Sequence, residues 1–108
     1  MNIKTILASA ALAMTAATGA LAEKTKVGFV YVGPVGDGGW TFAHDNARKA
    51  LEAEFGDKIK TSFIENVSES ADAERNFRDM VSQGNKLIFG TTFGYMDPML
   101  KVAADNKE

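Results

Sequence analysis

Lys26-Val27-Gly28-Phe29-Val30-Tyr31-Val32-Gly33-Pro34-Val35-Gly36-Asp37-Gly38-Gly39-Trp40-Thr41 is the stretch that decides the fold. Val27 to Val32 form an unbroken apolar run with no alternation, the pattern of a strand covered on both faces, as in parallel sheets. Four Gly and one Pro in the next seven residues break it into a loop. From Thr41 the apolar spacing changes to that of a helix. Ala43, Ala47, Ala50, Leu51 and Phe55 fall at i, i+4, i+7, i+8 and i+12, and the spacing predicts one core-facing stripe. Thr41 is the expected N-cap and Gly56 the expected stop.

The same alternation continues along the chain. Thr61-Ser62-Phe63-Ile64 reads as a second strand, more polar and so nearer a sheet edge. Ser68 or Ser70 caps a second helix, whose stripe is Ala73, Phe77, Met80 and Val81 and which Gly84-Asn85 ends. Lys86-Leu87-Ile88-Phe89 reads as a third strand, residues 90–96 as a loop, and Asp97-Pro98 as the N-cap and first residue of a third helix. The order β-α-β-α-β-α, with short connections, implies right-handed crossovers in a parallel, doubly wound α/β sheet.

Upstream, residues 1–22 contain a single charge, Lys4, followed by an apolar stretch diluted by Ser9, Thr15, Thr18 and Gly19. Ala20-Leu21-Ala22 is a small-x-small site ahead of polar Glu23-Lys24, so the expectation is a cleavable export signal (1–22) and a periplasmic mature protein. The remaining 86 residues carry 11 of the 12 basic groups and all 14 acidic ones, a net charge of −3. A slightly acidic body offers no footprint for nucleic acid. The absence of Cys excludes disulfides, thiolate zinc sites and thiol catalysis, and a single His leaves little for a His-rich metal site. No metal, no cofactor and no catalytic residue is expected.

In an open parallel sheet, ligands bind beyond the carboxyl ends of the strands where strand order reverses. With strand 1 between strands 2 and 3, that point lies between strands 1 and 3, at loops 33–40 and 90–97. Glycines there allow close backbone approach, Trp40, Phe93 and Tyr95 offer flat faces, and Asp37 is a hydrogen-bond acceptor. The combination suits a planar, hydrogen-bonding small molecule such as a nucleobase. Each residue also has a structural role open to it: Asp37 as a turn residue, Trp40 as packing on the first helical turn, Phe93 and Tyr95 as core. His44 and Glu65 read as solvated, and Met80, Met96 and Met99 as core fillers. A dinucleotide fingerprint competes weakly. Gly36-Asp37-Gly38-Gly39-Trp40-Thr41 begins G-x-G, with Glu65 placed as a ribose-binding acid, but has Thr41 in place of the third glycine. Asp37 would also repel pyrophosphate, and an export signal argues against a soluble nicotinamide enzyme.

The segment 26–41, the Ala47-Arg48 helix, Glu65-Asn66-Val67 and Phe89-Gly90-Thr91-Thr92-Phe93-Gly94-Tyr95 together resemble the basic membrane protein family of ABC-transporter substrate-binding proteins, which is similar to bacterial purine-nucleoside receptors. The resemblance covers residues 26–108. It implies a type I periplasmic binding fold in which two lobes close on the ligand, with residues 23–108 forming part of the N-terminal lobe and the second lobe absent. It also implies a purine nucleoside or nucleobase as ligand and an inner-membrane ABC permease as partner. Carried over residue by residue, it implies ligand contacts at Asp37, Trp40, Thr92, Phe93 and Gly94. A periplasmic sensor subunit of the same fold is the alternative role.

Overall fold

The computed structural model describes residues 23–108, so the export signal expected at 1–22 lies outside the described residues. Strand β1 (Thr25–Val30) is central, flanked by β2 (Ile59–Ile64) and β3 (Leu87–Gly90) in the order β2-β1-β3. Both pairings are parallel, with Thr25 opposite Ile59 and Val27 opposite Leu87. Helices α1 (Trp40–Phe55) and α2 (Ala71–Ser82) connect them, and α3 (Met96–Ala104) follows β3.

The pleat of β1 divides the core in two. Val27, Phe29 and Tyr31 point to one face, where Val35, Leu51 and Ile59 join them. Val30 points to the other, against Ala73, Phe77 and Met80 of α2, Val102 of α3, and Tyr95. The sheet is therefore wound on both sides, as the sequence implied. On the α2 side Phe77 and Tyr95 meet edge-on at 5.4 Å, a geometry that contributes about 0.5–1.5 kcal/mol beyond area burial. A Cβ at Gly28 would lie 2.5 Å from the Met80 sulfur, so a larger residue there would force the Met80 side chain to shift.

Helix α2 follows the expected register. Ser70 Oγ accepts from the Asp72 amide, and Gly84 ends the segment at φ 89°. Helix α1 does not follow it. The expected stripe of Ala43, Ala47, Ala50 and Phe55 faces outward, with only Leu51 partly buried, and the sheet-facing residues are Thr41, Asp45 and Arg48. The reason lies in the strands beneath. Tyr31 and Thr61 present hydroxyls on this face. Asp45 accepts from Tyr31 Oη at 3.2 Å and from Arg48 Nε at 2.7 Å. Arg48 also donates to Thr61 Oγ1 at 2.9 Å and sits 4.7 Å above the Phe63 ring. A paired polar layer thus replaces the apolar one that periodicity suggested.

Two caps also differ. Helix α1 starts two residues early, with Gly39 at the N-cap and Thr41 buried in the first turn. Helix α3 starts at Met96, behind a 3-10 turn at Phe93–Tyr95, so Asp97 and Pro98 lie inside its first turn and Asp97 is not the cap. Met96 is exposed, not a core filler, whereas Met80 is buried. Along the open edge of β3, Leu87 and Phe89 are exposed while Ile88 packs into the core.

Candidate functional site

Because β1 is central, the reversal of strand order falls between β1 and β3, where the sequence placed it. Three loops meet at that end of the sheet. The loop after β2 crosses the end of β1: Asn66, at φ 58°, donates from its amide to Gly33 O, and Val67 N donates to Tyr31 O. Glu65 is not a free loop acid; its carboxylate accepts from the Val35 amide at 2.7 Å and ties the first loop to the second. Tyr95 Oη donates to Val67 O and anchors the third. Burial, with the nearby Glu69 charge, pushes the Tyr95 phenol up to about 12, so it stays a donor.

Asp37 takes up the start of α1. Its carboxylate accepts backbone N–H groups of Gly39 (2.8 Å), Phe42 (2.9 Å) and Thr41 (3.1 Å). The Gly39 and Phe42 amides, outweighing partial desolvation, hold its carboxyl below the usual carboxylate range. Those amides are among the orphan donors of a helix N-terminus, and a carboxylate there also complements the dipole. Gly38, at φ 66°, makes the turn that brings the carboxylate back. Most of Asp37's acceptor capacity is therefore spent inside the chain.

Trp40 is the opposite case. Its indole Nε1 donates to Thr91 O at 2.8 Å, bridging the loops after β1 and β3 across the reversal point. His44 meets the ring edge-on at 5.0 Å. With the only polar atom committed, the ring remains 61% exposed, and Phe93, two residues beyond Thr91, is 84% exposed. Tyr95, by contrast, is core. Thr92 Oγ1 donates to Glu69, and a Cβ on Gly94 would overlap the same carboxylate. Thr92 and Gly94 thus hold Glu69 in place.

The structure brings Trp40, Thr92, Phe93 and Gly94 to one end of the sheet and turns Asp37 toward its own helix. Sequence reasoning missed Glu69, whose approach to Gly94 joins residues 25 positions apart and leaves no local pattern, and the Thr91 carbonyl, which no side-chain pattern reveals. A concavity of about 740 Å³ lies elsewhere. It is an open groove beside the free edge of β3, lined by Phe77, Ile88, Met99 and Val102, away from the loops at the strand ends. Among the described residues, no cluster of three or more His, Asp or Glu is placed to hold a metal, and no helix is long and apolar enough to cross a membrane.

Residues 24–108 match the family described as ABC transporter substrate-binding protein PnrA-like. The chain is 62% identical over 81 residues to a purine-binding protein of Brucella abortus, an alignment covering 75% of this chain and 23% of that protein. It is 43% identical over 83 residues to a Haloferax volcanii protein provisionally named an ABC transporter glucose-binding protein, covering 77% of this chain and 21% of the other. In structure it is similar to an ABC transporter solute-binding protein from Conexibacter woesei, with a TM-score of 0.67 at 22% identity, over 75% of this chain and 26% of that one. The chain thus spans less than a quarter of the length of these two curated relatives.

Proposed function

This chain belongs to the PnrA-like family of ABC transporter substrate-binding proteins, and on that premise we propose that it supplies one wall of a cleft for a purine nucleoside or nucleobase. The family is one of transport receptors, not of enzymes. The observation that carries the ligand reading is the Trp40 ring, held by its N–H to Thr91 O and exposed at the strand-order reversal beside Phe93. A ring so anchored can stack on a planar ligand without losing its own hydrogen bond. Base–aromatic stacking of this kind contributes ~1–3 kcal/mol. The name of the Brucella relative supports the same ligand class.

In this reading a second lobe, supplied by the longer protein, closes over the ligand by a hinge motion. The closed form then docks on an inner-membrane ABC permease. Export through residues 1–22 to the periplasm belongs to the same proposal. A hexose is the second reading, favoured by the name of the Haloferax relative, since a sugar face also stacks on Trp.

Titration of the full-length protein with adenine, hypoxanthine, guanosine and D-glucose separates the two. Saturable binding of a purine, with no response to glucose, is the expected result; glucose binding alone would overturn it.

A further inference from the structure

We infer that Glu69, and not Asp37, is the carboxylate that reads the hydrogen-bond donors of the ligand; the inference rests on the purine reading above. Asp37 and Trp40 have both committed their polar atoms within the chain. Three backbone amides take up the Asp37 carboxylate, and Thr91 O takes up the indole N–H. A planar ligand stacked on Trp40 therefore needs its acceptor from another residue.

Glu69 stands where one is needed. It belongs to the loop after β2, which crosses the end of β1, and its carboxylate lies against the same turn of chain that Trp40 grips. Trp40 bonds Thr91, while Glu69 receives the Thr92 hydroxyl and packs where Gly94 lacks a side chain. The stacking ring and the carboxylate thus converge on residues 91–94 from two different loops. Among the described hydrogen bonds, Thr92 is the only donor to Glu69, and the residue is exposed, so most of its lone pairs remain open. Gly94 is specific to this arrangement, since any side chain there would displace the carboxylate. A carboxylate is an acceptor only. Glu69 would therefore favour ligands that present ring N–H, amine or hydroxyl donors. Bonds to a charged acceptor are also the stronger kind.

The test is Glu69→Gln in the full-length protein, with Trp40→Ala as the control. Glutamine keeps an oxygen for Thr92 and the same shape against Gly94, but turns half of the acceptor into a donor. Adenine, hypoxanthine and guanine are titrated calorimetrically, and thermal unfolding is measured on each variant. The expected result is an unchanged unfolding temperature for Glu69→Gln, with the affinity of the preferred base lowered at least tenfold. Unchanged affinity in Glu69→Gln, while Trp40→Ala weakens binding, overturns the assignment of Glu69 and leaves the purine reading standing. Loss of unfolding temperature in proportion to affinity also overturns it, by making Glu69 a loop tie. Failure of all three bases, and of guanosine, to bind the unaltered protein overturns the purine reading itself, and this inference with it.

Discussion

Asp45→Ala isolates the polar layer between α1 and the sheet. Asp45 is 4% exposed and Arg48 8%, and the two are joined at 2.7 Å. Removing one partner of a buried ion pair costs ~3–5 kcal/mol, because the other charge is left uncompensated. Arg48 keeps Thr61 Oγ1 at 2.9 Å and the more exposed Glu52 at 3.3 Å, which places the loss near the lower end. Tyr31 loses its acceptor as well, a net of about 1 kcal/mol. The expected destabilisation is therefore roughly 3–4 kcal/mol, a large share of the ~5–15 kcal/mol that holds a typical domain together. Replacing both charges, Asp45→Leu with Arg48→Met, removes the pair without stranding either member, and should cost well under the sum of the single changes. Urea unfolding of the full-length wild type, Asp45→Leu, Arg48→Met and the double variant measures the coupling, with Asp45→Ala measured beside them. Burial pushes the Asp45 carboxyl up, but the Arg48 hydrogen bond and charge, with Tyr31 and Lys49, outweigh it and hold the group below its ordinary value. Its contribution is thus present at neutral pH and fades as pH falls through that lowered value. The double variant should lack this part of the acid transition. A single-variant loss below about 1 kcal/mol, or strict additivity, would refute the reasoning from buried-pair energetics.

Trp40→Phe keeps an aromatic face but removes the N–H bridge to Thr91; purine affinity should fall less than in Trp40→Ala, by calorimetry, with faster amide exchange in residues 91–94. Asp37→Ala should speed amide exchange at Gly39, Thr41 and Phe42 at neutral pH. Because the Asp37 carboxyl is held below its usual range, the wild-type protection should itself weaken as pH falls through that lowered value. N-terminal sequencing of periplasmic protein should begin at Glu23; intact Met1 in the cytoplasm would contradict the export signal.

The fold was legible because its signals are local and agree with one another. The unbroken run at Val27–Val32 and the Ala73-Phe77-Met80 stripe point to parallel strands covered on both faces, and the expected place of strand 1 between strands 2 and 3 is the order that the structure has. The orientation of α1 was not legible. Ala43, Ala47 and Ala50 outvote Asp45 and Arg48 in any hydropathy count, and only the hydroxyls of Tyr31 and Thr61 across the interface make the polar side the inner one. The place of the candidate site was legible, since the reversal of strand order follows from topology; the contacts its residues make were less so. An Asp in a Gly-Asp-Gly turn looks the same in sequence whether it faces a ligand or caps a helix; three amide bonds to the start of α1 give Asp37 the second role in this structure. Glu69 owes its place to a contact with Gly94 that no local window contains.

The central claim is that a planar ligand stacks on Trp40 at the β1–β3 reversal. Calorimetric titration of the full-length Trp40→Ala protein with the purine that the wild type binds best tests it most directly. The account predicts one site per protein and a loss of ~1–3 kcal/mol in the variant, about five- to 150-fold in affinity. Affinity equal to wild type, in a variant that remains folded, would contradict it.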